Sequence, residues 1–356
     1  MDYSSLPRDI FSGCWNTGHC QGIAVDADRR FIYYSFTTAL VKTDLQGRLI
    51  GSVHGLLGHL GCIAFNRRDG RVYGSLEYKN DAIGRGILNM LGSDAALQDA
   101  FYMAIFDVNK IDRPGMDACE DGVMTAVYLK EVVDDFSAEV TNSGAAVKHH
   151  LGCSGIDGTT FGPVPGSADD TPRLFVAYGV YADERRTDND HQVLLCYDTR
   201  DWARYERPLR QDAMHHSGPA APDHKFFVFT GNTTYGVQNL EYDPFTNSYL
   251  MAVYRGKKPQ YPNRPLYIVD ASKPPVTAPL RGVEPPETGE TLSLRPDGLP
   301  HESGVRGWDF PLGSTGLCAL GGGYYYVSHD GKGEDGWYTH VKLYRWDGVN
   351  PLSLVE

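Results

Sequence analysis

Five times along this chain an apolar run closes on an aspartate: "ALVKTD" at Asp44, "MAIFDV" with Asp107, "VLLCYD" at Asp198, "PLYIVD" at Asp270 and "KLYRWD" at Asp347. Each follows a longer, aromatic-rich run: "RRFIYYSF", "GRVYGSLEY", "PRLFVAYGVY", "NSYLMAVYRG" and "GGYYYVSHDG". Before each of those stands a third kind of run: "QGIAVD", "GCIAFN", "GCSGID", "QNLEYD" and "TGLCAL". Apolar runs of this length bounded by Gly, Asp, Asn and Pro read as strands. Three strand types in one order, five times, are a repeat, and a repeat constrains the fold more than any local propensity. The aspartates lie 63, 91, 72 and 77 residues apart, so connecting loops vary while the unit persists.

A unit of three clear strands and a poorer fourth is a propeller blade, the outermost strand being the least constrained. Candidates for that fourth strand are "RLIGSV", "TAVYLKEV", "ARYERPL", "TLSLR" and "LSLV". The expected fold is all-β: a five-bladed β-propeller of four-stranded blades in one domain over 1–356, with blades near 13–55, 56–140, 141–212, 225–296 and 305–356. The stretch 83–101, with Ile87, Leu88, Leu91 and Leu97, reads as a short helical insertion in blade two, on the face that carries His59.

Aligning the first strands puts His19, His59 and His150 at one position, two residues before Gln21, Gly61 and Gly152. In a propeller this strand is innermost, so three imidazoles are expected at one channel mouth. With Gln238 they form a candidate metal set for Mn, Zn or Ca, imidazole suiting the first two better. Metal-free acid–base histidines and purely structural ones are the competing readings. No organic cofactor is expected. Loops on the same face offer Glu77, His329 and Asp330 as catalytic groups with His59 and His150, and Glu302 as a second acid. Arg255, Arg306, Trp308, Gln238 and Tyr181 are candidates for binding substrate. A carboxylate, arginines and histidines at one mouth suit an anionic or polyhydroxylated ligand.

Over essentially its whole length the chain resembles the β-propeller superfamily. In architecture it resembles carbohydrate-active five-bladed propellers, many of them glycoside hydrolases. That resemblance implies a glycosidase or lyase with one site at the channel mouth, acting on a small molecule or oligosaccharide. Those hydrolases carry an aspartate at the start of the first innermost strand, where this chain has His19 and Gln21. Some propeller lyases use histidines and a glutamine around manganese, and a five-bladed nucleotidase family binds calcium. The alternative is a non-catalytic ligand-binding or scaffold propeller. Unequal loops favour one asymmetric pocket over five similar ones.

A formal charge of −12 argues against nucleic acid and anionic membranes as partners. No run of about 18 apolar residues suggests a membrane span. Seven cysteines, an odd number without a CxxC pair, read as free thiols in a reducing compartment, so a cytoplasmic location is expected. A signal peptide already removed would leave the same beginning. Nothing in the sequence indicates an oligomeric state.

Overall fold

The computed structural model of the protein describes residues 3, 5–96 and 98–356. Five radial antiparallel sheets surround one axis. Blade one consists of Cys20–Val25, Phe31–Phe36, Ala39–Asp44 and Leu49–His54. Blade two consists of His59–Asn66, Arg71–Tyr78, Ala100–Phe106 and Met124–Tyr128. Blade three runs through Cys153–Gly162, Arg173–Val180, His191–Tyr197 and His224–Phe229, and adds two short outer strands, Thr288–Thr291 and Val276–Pro279. Blade four has three regular strands, Thr234–Asp243, Ser248–Tyr254 and Leu266–Asp270. In blade five, Leu317–Gly321, Tyr324–Gly333 and Gly336–Trp346 are followed outward by both Asp9–Phe11 and Leu352–Leu354.

The buried apolar side chains fall into five clusters, one in each gap between neighbouring blades. Tyr33 and Leu40 of blade one meet Leu60 and Leu76 of blade two, and the circle closes where Tyr326 and Leu343 of blade five meet Ile23 and Val41 of blade one. A blade buries both faces in this way, which explains why its middle strands read as nearly continuous apolar runs.

Two expected outer strands differ. "ARYERPL" is not the edge of blade three: Trp202–Arg204 is a 3-10 turn, Arg207 bridges Ala126 on blade two, and Leu209 is buried in the cluster between blades one and two. The fourth strand is His224–Phe229, which buries Phe226, Phe227 and Val228. "TLSLR" leaves blade three at Thr291 and touches blade four through a single bridge, Leu294 to Val269.

On the axis the inner strands meet. The buried Asn239 donates from Nδ2 to the carbonyls of Gln21 (2.8 Å) and Ser314 (2.9 Å). The Cys62 thiol donates to Asn239 Oδ1 (3.4 Å) and approaches the Thr159 carbonyl (3.5 Å). Residues from all five blades thereby touch at one point.

Candidate active site

The register of the inner strands decides which side chains share a mouth. The hairpin-closing pairs are Asn66–Arg71, Gly162–Arg173 and Asp243–Ser248. Counting back five residues makes Gly61, Asp157 and Gln238 equivalent, with Gln21 in blade one. Ser35 Oγ donates to the Gly61 carbonyl and Ser75 Oγ to the Asp157 carbonyl, both at 2.7 Å, which is the same contact one blade further on. Blade three therefore places "DGTTFG" where "GCSGID" was expected. Its inner strand starts early, at Cys153, and runs ten residues to Gly162, with the same kind of irregularity near Asp157 that blade two has between Leu60 and Ile63.

This shift corrects the expectation for His150. Two residues before Asp157 stands Gly155, not a histidine. Gly155 has φ +117°, and a Cβ there would lie 2.0 Å from Glu77 Oε2, so the chain gives up a side chain to seat that carboxylate. His150 lies instead between Asp135 (2.9 Å) and Glu287 (3.0 Å), and the Asp135 bond raises its pKa. Two imidazoles, not three, reach the mouth. Among the described residues no group of three or more His, Cys, Asp or Glu is placed to ligate a metal, so the expected His19–His59–His150–Gln238 set does not assemble.

His19, His59, Gln21, Gln238, Glu77 and Asp157 line a cavity of about 420 Å³, a size suited to a small ligand. Helix α1 (Ala82–Leu91) lies on the same side and turns Ile83, Ile87 and Met90 toward the cavity. Its first turn is capped by Asp81, whose carboxylate accepts from the amides of Ile83 and Gly84 at 2.9 Å. Leu91 is exposed, and Leu97 lies outside the described residues. Trp337 and Tyr254 form further wall, the Trp337 ring 5.6 Å from that of His19.

Glu77 is buried with both oxygens engaged. Oε1 meets Lys79 Nζ at 2.5 Å and faces His59 Nδ1 at 3.6 Å, and Oε2 accepts from the Ile156 amide at 3.0 Å. Burial raises its pKa against the pull of Lys79. Burial works to lower the Lys79 pKa, but the Glu77 and Asp81 carboxylates outweigh it and hold the ammonium charged. Burial, with Lys79⁺ and His19 nearby, drops His59 to about 3, and burial also lowers His19, so both rings are neutral at pH 7.

Asp157 carried no weight in the sequence because the shifted register hid its place. It is buried, and its Oδ1 has no hydrogen-bond partner. That oxygen sits over Gly61, where a Cβ would come within 2.2 Å. Burial and then the Glu77 charge push its pKa well above the ordinary carboxylate value, which favours its protonated form.

The other expected residues are dispersed. Asp330 is not among the lining residues; its Oδ1 accepts from the Cys20 amide (3.2 Å), and burial lifts its pKa to about 6. His329 bonds the Tyr344 hydroxyl at 3.0 Å. Tyr181 donates to Asp81 at 3.1 Å, behind the helix cap. Arg255 pairs with Asp309, and Arg306 donates to the carbonyls of Pro296 and Gly298. Trp308 is buried in the cluster between blades four and five, so it anchors a loop and has no free face for a sugar ring. Glu302 is exposed on a turn after His301.

Fold and pocket together define a five-bladed β-propeller with an acid–imidazole chamber at one mouth. No family model and no curated protein matches the chain. Among solved structures it is similar to the apo form of the soluble aldose sugar dehydrogenase of Escherichia coli, at 10% identity over 94% of this chain and 98% of that one, with TM-score 0.39. It is also similar to the holo form of the pyranose dehydrogenase PQQ domain of Coprinopsis cinerea, at 13% identity over 90% of this chain and 81% of that one, with TM-score 0.36.

Proposed function

We propose that this chamber is the active site of a carbohydrate-active enzyme that hydrolyses a glycosidic bond in a small saccharide. The observation that carries the reading is Asp157: a buried carboxyl with one unpartnered oxygen and a raised pKa, lining a cavity that also holds two neutral imidazoles. Such a group is a general acid held ready at neutral pH. Asp157 gives its proton to the leaving glycosidic oxygen as the C–O bond breaks. His19 takes a proton from the water whose oxygen bonds to the anomeric carbon. The products are two hydroxyl compounds, and the proton on His19 returns to Asp157 through solvent. Glu77 and Lys79 stay paired; the Glu77 charge helps keep Asp157 protonated. Gln21 and Gln238 present amides to sugar hydroxyls, and Trp337 offers a ring face.

The test is turnover of a panel of aryl glycosides by wild type and Asp157→Asn. Loss of about 10²-fold or more in kcat is expected for the variant. The kcat/KM profile falls on the acid side through a pKa below 6.5, as His19 takes a proton, and on the alkaline side as Asp157 loses its own. Equal turnover in the variant, or no turnover of the whole panel by wild type, overturns the reading.

A further inference from the structure

The opposite end of the axis opens into a second cavity, of about 860 Å³, lined by the ends of the inner strands. Phe65, Phe161 and Tyr242 stand there at one equivalent register position in blades two, three and four. Each is half-buried, its ring contacting an inner tyrosine: Tyr33 for Phe65 (6.2 Å between centroids), Tyr73 for Phe161 (5.0 Å) and Tyr249 for Tyr242 (5.0 Å). Three propped aromatic rings therefore wall this cavity.

One residue back in the repeat stand Ala24, Ala64, Thr160 and Cys318, but blade four has Glu241. Glu241 Oε1 accepts from the Ala319 amide (2.7 Å) and Oε2 from the Thr160 hydroxyl (3.3 Å), which fixes the carboxyl across three blades. Burial raises it to about 8, so it carries a proton at neutral pH and can donate one hydrogen bond. At the rim Arg67 and Arg68 form no ion pair among the described residues: the Arg67 side chain is exposed and makes no hydrogen bond to them, and the Arg68 guanidinium donates to the Thr199 hydroxyl (3.1 Å). In a chain of net charge −12, two adjacent guanidiniums outside any ion pair with the described residues are a local exception, Arg67 lying near enough to act on the Glu241 carboxyl. Asp170, also on the lining, is exposed.

The geometry points to a second ligand site at this mouth, which takes a small aromatic carboxylate, its ring against Phe65, Phe161 and Tyr242 and its carboxylate on Arg67. A planar guanidinium matches a carboxylate through two parallel hydrogen bonds. The site stands independently of the chamber at the other mouth.

Titration calorimetry of the full chain with benzoate and 2-naphthoate tests the proposal. Saturable one-to-one binding below 1 mM, as an order-of-magnitude threshold, is expected for 2-naphthoate, with weaker binding of benzoate. Arg67→Gln, on an exposed side chain that leaves the core untouched, should weaken 2-naphthoate about tenfold or more. Glu241→Gln, which keeps the donor and the shape, should bind within a fewfold of wild type, and Asp157→Asn should bind unchanged. The site as proposed is overturned by equal binding of neutral 2-naphthamide, by binding of inorganic phosphate as tight as 2-naphthoate, by an unaffected Arg67→Gln, or by no binding of either acid.

Discussion

Within the chamber, neighbouring carboxyl groups carry opposite duties. Glu77 is held by an ammonium and an amide, whereas Asp157 has an oxygen with nothing bound to it. Glu77→Gln removes the charge that balances Lys79 and strands a buried cation. Breaking one side of a buried ion pair costs about 3–5 kcal/mol, so a large fall in the urea midpoint is expected. Asp157→Asn leaves Lys79 its Glu77 partner and should leave the midpoint nearly unchanged while cutting kcat about 10²-fold or more. Denaturant titrations of both variants check the contrast; matching midpoints would mean that Glu77 does not hold Lys79 in place.

At the scale of elements, helix α1 is the part of the chamber that the repeat does not supply. It enters between the second and third strands of blade two and is held at its start by Asp81. Asp81→Ala should cost about 1 kcal/mol of stability through the lost cap, and more because the buried Lys79 and the Tyr181 hydroxyl lose its carboxylate. Because Ile83 and Ile87 face the cavity, it should also raise KM more than it lowers kcat. Steady-state kinetics check this, and an unchanged KM would place α1 outside substrate binding. The elements also show what the sequence made legible. Strand order, blade number and the inserted helix were visible because apolar periodicity reports burial directly. Register in blade three was not. "GCSGID" looks like "GCIAFN", and a strand that begins early carries that look-alike five residues ahead of the equivalent position, so the sequence pointed to His150 and hid Asp157. His19, His59, Gln238 and Glu77 line one chamber because their strands keep the common register.

At the scale of the molecule, the five inter-blade clusters account for most of the burial, yet they lie away from the axis. The contact that crosses it is one amide and one thiol. Asn239→Ala leaves the carbonyls of Gln21 and Ser314 without their donor, which at about 1–3 kcal/mol each should lower stability by roughly 2–6 kcal/mol. Calorimetric unfolding should then begin at a clearly lower temperature; an unmoved transition would show that water replaces the amide without loss. A wheel whose spokes meet can be squeezed at one side only by moving every other side. A ring held at its rim alone goes oval under the same push. Tying the blades through Asn239 and Cys62 makes the protein the first kind of object, so a ligand that wedges two blades apart at one end must strain the hub, and through it the shape of the opening at the other.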